Sequence, residues 1–134
     1  MKKNVTKRTE IGKAKKQLGK IIKQLRESKK ESISLRKLAS LVNLPPSNMK
    51  YIEDGVNAPT AEVYDAIIQN LVPCDKLHAE MDQLYTIIRG TPPPDVCDIV
   101  CKTEGMYDIL RFVRDHEFSD QQISSLKTLL ASFK

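Results

Sequence analysis

The sequence predicts an all-α fold. Three observations carry that expectation. Apolar residues recur at spacings of three and four in one segment after another, no stretch alternates with the two-residue period of a strand, and proline, glycine and hydroxyl residues stand where helices would start and stop. At 134 residues, with 40% apolar and 29% charged, the chain suits one compact domain or a small domain with an appended bundle, and is too short for a large two-domain enzyme. No uninterrupted apolar run exceeds three residues, as in Ala66-Ile67-Ile68, which excludes a membrane span of roughly 20 apolar residues. Met1-Lys2-Lys3 leads into no apolar signal stretch, and the three cysteines are an odd number, so a reducing, cytoplasmic setting with free thiols is expected.

The elements follow in order. Met1 to about Arg8 reads as a polar arm without period. A first helix begins near Thr9 or Glu10, with Ile11, Leu18, Ile21, Ile22 and Leu25 on one face and lysines on the others. Ser28 to Ser34 is a polar connection, and Ser34 can cap a short second helix that turns Leu35, Leu38, Ala39 and Val42 inward. Asn43-Leu44-Pro45-Pro46 stops it, because each proline lacks an N–H, while Pro46 suits the first position of a third helix running to about Asp54. Met49 and Ile52 face inward from that helix, and Gly55 stands where a left-handed terminator is wanted. Ala58-Pro59-Thr60 is a loop and cap before a helix over 61–71 with Val63, Ala66, Ile67 and Leu71 inward. Asp75 is expected to cap a helix carrying Leu77, Met81, Leu84 and Ile88 and ending at Gly90. Beyond Thr91-Pro92-Pro93-Pro94 come two shorter helices, 95–102 and about 104–115. Ser119 with Gln122 then forms a capping box opening a last helix with Ile123, Leu126, Leu130 and Phe133 on one side.

Charge is unevenly placed. Residues 1–30 hold 12 Lys/Arg and 2 Asp/Glu, whereas residues 31–134 hold 10 and 15, so the whole-chain net of +5 arises at the N-terminus. Such a block fits a solvated arm, an anionic lipid surface or nucleic acid. Lipid is the weakest of the three, because residues 1–16 lack the Trp, Phe or Leu stripe that anchors a basic amphipathic helix.

The two short helices over 34–42 and 46–54, joined by a tight turn, have the dimensions of a helix-turn-helix, in which the second helix lies in the DNA major groove. Taken together, Leu18-Gly19 to Arg26, Ser34-Leu35-Arg36-Lys37-Leu38-Ala39, Asn43 to Gly55 with Ile52-Glu53, and Ala58-Pro59-Thr60 resemble the Cro/CI-type (XRE) helix-turn-helix family of bacterial and phage transcriptional regulators over about residues 18–72. The resemblance implies a five-helix Cro/CI-like domain with a small C-terminal helical extension. The divisions expected are a basic arm and start of the first helix (1–17), the DNA-binding domain (18–72) and a helical region for dimerisation or partner binding (73–134). It also implies an ion pair between Arg26 and Glu53 clamping the first and third helices. The sequence departs from the family at Leu35, where a glutamine is frequent, at Pro45, where Ser or Thr often caps the third helix, and in a slightly longer first loop.

On the face opposite Met49 and Ile52 stand Pro46, Ser47, Lys50 and Tyr51, which align with the family's base-reading positions; Asn48 is a further candidate. Lys50 suits guanine edges or phosphate, Ser47 either kind of base group, and Tyr51 a phosphate or a thymine methyl. Ser34, Arg36 and Lys37 would hold the flanking backbone. Lys13, Lys16 and Lys20, together with Lys2, Lys3, Lys7 and Arg8 of the arm, would add nonspecific attraction, unless they form only a solvated face. Residues 73–134 carry ten acidic and seven basic residues, which turns that region away from DNA and toward pairing with a second copy, a toxin or another regulator.

Cys74 with His78 and Cys97 with Cys101 have the four-residue spacing of paired zinc ligands, but ordinary packing is the stronger expectation, and no cofactor or metal is assigned. No nucleophile motif or glycine-rich phosphate loop is present, so the chain is not expected to be an enzyme. The reading is therefore a dimeric, sequence-specific binder of double-stranded DNA, a repressor more than an activator. Its alternatives are an antitoxin that autoregulates its operon and a protein-interaction module that keeps the fold without reading DNA.

Overall fold

In the computed structural model the described residues are 2–28 and 32–133, with side-chain surroundings described from Lys7 onward. Those residues form eight helices and no strand: α1 (Lys2–Ser28), α2 (Leu35–Leu41), α3 (Pro46–Glu53), α4 (Ala61–Leu71), α5 (Asp75–Arg89), α6 (Pro94–Lys102), α7 (Met106–Asp115) and α8 (Asp120–Ser132). The fold is all-helical. Eight helices are present rather than five, because the appendage contributes three of its own. Among the described residues no helix is long and apolar enough to cross a membrane.

The chain divides into two compact units, 1–97 and 98–134. The first extends well past residue 72 because α5 packs along α1 and completes its core with Met81 and Tyr85. Around them are Leu18, Ile21 and Ile22 of α1, Leu38 and Ala39 of α2, Met49 and Ile52 of α3, and Val63, Tyr64, Ile67 and Leu71 of α4, all buried. The second unit contains no buried residue among those described.

Several local outcomes differ from expectation. The stretch read as an arm is helical from Lys2, which agrees with the good helix propensity of its Lys, Arg and Glu residues and the lack of proline. Cys74, not Asp75, is the N-cap of α5, and Asp75 is the first helical residue, where its charge still meets the positive end of the helix. Leu130 of α8 and its C-cap Phe133 are 55% and 66% exposed, while Ile123 and Leu126 of the helix are half-buried. Helix α2 ends at Leu41, four residues before Pro45. Asn43 takes the left-handed conformation (φ 59°), its N–H reaches the Ser40 carbonyl at 3.2 Å, and the Leu44 N–H reaches that of Ala39 at 2.9 Å. Those paired bonds form a Schellman closure, made here by asparagine instead of glycine.

Other caps lie where the local chemistry places them. Ser34 Oγ accepts from the Lys37 N–H at 3.0 Å, Thr60 Oγ1 from the Val63 N–H at 3.3 Å, and Ser119 and Gln122 form the reciprocal capping box. The inward sets expected for α4 and α5 left out Tyr64 and Tyr85, although both stand at three-and-four spacing from Ile67 and Leu71 and from Met81 and Ile88; their rings stack with centroids 4.4 Å apart. Tyr64 can be buried because its hydroxyl donates to Asp82 at 2.6 Å, a partner on another helix.

Candidate functional site

The site is a surface of α2 and α3, and its precision depends on how α3 is held. Pro46 opens α3 with a preset backbone angle, and the Pro45 carbonyl accepts from the N–H groups of Asn48 and Met49 at 3.0 and 3.2 Å. At the other end Gly55 has φ 76°, so the Val56 N–H can close on the Tyr51 carbonyl at 2.9 Å. No side chain would fit there, because a Cβ on Gly55 would lie 2.5 Å from Lys16 Cα. One turn further along α1, a Cβ on Gly19 would collide with the carbonyls of Ile52 and Glu53. Helix α1 thus crosses the C-terminal end of α3 backbone against backbone.

A buried ion pair secures that crossing. Arg26 Nε donates to Glu53 Oε2 at 2.7 Å and Nη2 to Oε1 at 2.9 Å, with the two residues 8% and 7% exposed. Arg26 Nη1 also donates to the Ile33 carbonyl at 3.0 Å, tying the loop before α2 to the same clamp. The hydrogen bond to Glu53 raises the guanidinium pKa and outweighs the opposing effect of desolvation. Bidentate pairing fixes orientation as well as distance.

With Met49 and Ile52 buried, Pro46, Ser47, Lys50 and Tyr51 are exposed on the rest of α3, Tyr51 at 48%. Lys50 Nζ lies 3.4 Å from Asp54 Oδ2, an i,i+4 neighbour whose spacing is legible in the sequence but which was not among the expected contacts. An exposed pair of this kind contributes about 0.3–0.5 kcal/mol, so Lys50 can exchange Asp54 for a phosphate or a base edge at little cost. Asn48 is exposed but borders a shallow cleft with Leu44, Asn57, Ala58 and Thr60, to the side facing the start of α4. Arg36 and Lys37 are exposed on α2. Ser34 is exposed too, and although its oxygen caps α2, its O–H hydrogen can still donate to an anionic oxygen.

Lys20 stands apart. It follows Gly19 at the crossing, which places it at the C-terminal end of α3, about 10 Å along the axis from Pro46 and Ser47. Lys13 and Lys16 are exposed on the same helix, as are Lys7 and Arg8, while the side chains of Lys2 and Lys3 lie outside the described residues. Among the described residues no three His, Cys, Asp or Glu side chains come together, and the Cys97 thiol donates to the Pro92 carbonyl at 3.3 Å. Comparison with family models, curated proteins and solved structures found no significant match.

Proposed function

We propose that the chain is a sequence-specific double-stranded DNA-binding transcriptional regulator of the Cro/CI-like helix-turn-helix type, acting in the cytoplasm as a homodimeric repressor on an operator. The observation that carries this reading is the division of α3. Met49 and Ile52 anchor one side in the core, the Arg26–Glu53 clamp fixes its end, and Ser47, Lys50 and Tyr51 project from the other side. A short helix so held is a rigid reading head. A hydroxyl, an ammonium and a phenol on one open face can engage base edges and thymine methyls in the major groove, while Ser34, Arg36 and Lys37 on α2 meet the phosphates beside it. Steric occupation of a promoter would then repress.

Selection of bound fragments from the source genome by the full chain tests the proposal, with affinity measured across salt concentrations. A recurring short sequence among the fragments and a log–log salt dependence with negative slope are expected. Unenriched fragments with affinity indifferent to salt would remove the DNA reading.

A further inference from the structure

Free cysteine is among the most deeply buried side chains in folded proteins, yet none of the three here is buried: Cys74 and Cys101 are exposed and Cys97 is half-buried. Two of them share a helix. Cys97 and Cys101 both lie in α6, one continuous helix, where a separation of four sets their side chains on a single stripe, one turn apart. The turn that carries them is braced. Pro94 presets the first residue of α6 behind the buried Pro93, and Asp98 and Lys102, each one place after a cysteine, pair at 2.9 Å on the neighbouring face. Distance decides what two such thiols can take. Side chains at i and i+4 of a helix have Cβ atoms about 5–6 Å apart, whereas a disulfide needs them at about 3.8 Å, so direct oxidation would have to distort α6. An ion inserted between the sulfurs removes that mismatch, because two thiolate bonds of about 2.3 Å in line span roughly 4.6 Å, a separation that side-chain rotation alone can reach.

We infer that Cys97 and Cys101 form a two-thiolate site for a soft monovalent metal ion of the Cu(I) class. The number of ligands selects the ion. Zinc takes four in a closed site, and among the described residues no third His, Cys, Asp or Glu side chain joins the pair, whereas a soft ion such as Cu(I) is satisfied by two thiolates in line. The helix tilts both side chains toward its N-terminal end, and the Cys97 thiol already points that way, donating to the Pro92 carbonyl at 3.3 Å. Binding dissolves that bond without stranding a donor, because each thiol gives up its proton. One Cu(I) and two thiols yield a singly negative bis-thiolate and two protons, with no change of oxidation state. Cys74 stands at the N-cap of α5 and takes no part. The site makes no use of DNA, and its fate is separate from that of the proposed function.

The experiment is an anaerobic titration of the full chain with Cu(I) held by a competing chromophoric chelator, with free thiols counted afterwards by alkylation and mass spectrometry. One Cu(I) per chain should leave the chelator and shield two of the three thiols, and equimolar Zn(II) should leave it in place. Cys74→Ser should bind as the wild type does. Cys97→Ser and Cys101→Ser should each bind on the order of 100-fold or more weakly, since the second ligand is no longer tethered. A change of register tests the geometry: Cys101→Ser with Lys102→Cys keeps the number of thiols but turns one sulfur about 100° around the helix, and should bind as weakly as a single thiol. Circular dichroism establishes that each variant keeps its helices. A wild-type chain that takes no Cu(I) from the chelator overturns the inference. So does displacement by equimolar Zn(II), a loss in Cys74→Ser as large as in the α6 variants, an α6 single variant with unchanged affinity, or a register-shifted chain that holds Cu(I) as tightly as the wild type.

Discussion

Arg26 and Glu53 stand 27 positions apart in the sequence and meet in two parallel hydrogen bonds of 2.7 and 2.9 Å, both residues more than nine-tenths buried. The pair ties α1 to the end of the helix that carries the candidate reading face. Breaking such a pair leaves one uncompensated charge in a place that water reaches poorly. Glu53→Ala is therefore expected to lower unfolding free energy by about 3–5 kcal/mol, measured by urea denaturation. Arg26→Met combined with Glu53→Leu should lose clearly less than the two single changes added together, since neither charge is then stranded. A single-variant loss below about 1 kcal/mol would mean the pair behaves as an exposed one.

The α1–α3 crossing makes opposite predictions for two glycines of one helix. Gly12 has nothing within 4 Å of where a Cβ would stand, so Gly12→Ala should gain roughly 0.5–1 kcal/mol from helix propensity alone. Gly19→Ala receives the same gain but drives its methyl into the backbone of Ile52 and Glu53, which cannot swing aside as a side chain would. Overpacking of about 1–3 kcal/mol should outweigh the propensity term and give a net loss. Denaturation midpoints that shift in the same direction for both variants would show that the crossing yields.

Val72 ends α4 in the left-handed region (φ 45°) and is 73% exposed. A β-branched residue is poorly suited to that geometry, and its exposed side chain has little packing to lose. Val72→Gly should raise stability by about 1 kcal/mol, seen as a higher denaturation midpoint at unchanged slope. A fall in the midpoint would show that packing of the valine outweighs the strain.

These predictions also mark which features were legible in the chain. Where the signal is local it was readable: the capping box at Ser119 and Gln122, Pro46 at the first position of α3, Gly55 at its end, and the extents of α4 and α5 to within a residue. Where the decision is tertiary it was not. Tyr64 was left out of the inward set of α4 although it shares the face of Ile67 and Leu71, and its hydroxyl finds its partner only in Asp82 on α5. The helical start of α1 was obscured because a lysine run lacks the apolar stripe by which amphipathic helices are recognised, although its propensity is high. The Lys50–Asp54 pair is spelled out by its i,i+4 spacing. The extent of the first unit depended on α5 packing along α1, a contact between segments some 60 positions apart that no local pattern encodes.

Tyr64 carries a pH dependence with a definite sign. Burial first, and then the hydrogen bond to the Asp82 carboxylate, push its pKa well above the usual 10.0. At pH values below 10 both folded and unfolded chains keep the phenolic proton, and this group contributes its full stability. Above that value the unfolded chain releases the proton while the folded chain retains it, so folding is progressively disfavoured, by up to about 1.4 kcal/mol per pH unit. Tyr64→Phe should be less stable at pH 8, having lost the bond to Asp82, yet decline less steeply between pH 10 and 11. Parallel stability profiles for the two proteins over that interval would contradict the assignment.

The reading face and the lysines of α1 should separate by the kind of DNA affinity they carry. Ser47 and Lys50 project from the open side of α3, where on the proposed function a contact would reach bases, so replacing both with alanine should compress the differences between DNA sequences by about 1–3 kcal/mol per lost base contact and leave affinity for random duplex nearly intact. Lys13, Lys16 and Lys20 are exposed on α1, which crosses the C-terminal end of α3 at Gly19, and on the proposed function they would meet phosphates rather than bases. Their joint replacement by alanine should weaken all duplexes alike and reduce the salt slope by about 0.9 for each phosphate contact removed. Asp54 sharpens the distinction. If Lys50 leaves it for a base, Asp54→Asn should strengthen binding to every duplex by removing a nearby negative charge without changing the order of preference among sequences. Identical losses of discrimination in the α3 and α1 variants, measured by fluorescence anisotropy on matched and scrambled duplexes, would mean that α3 does not enter the groove.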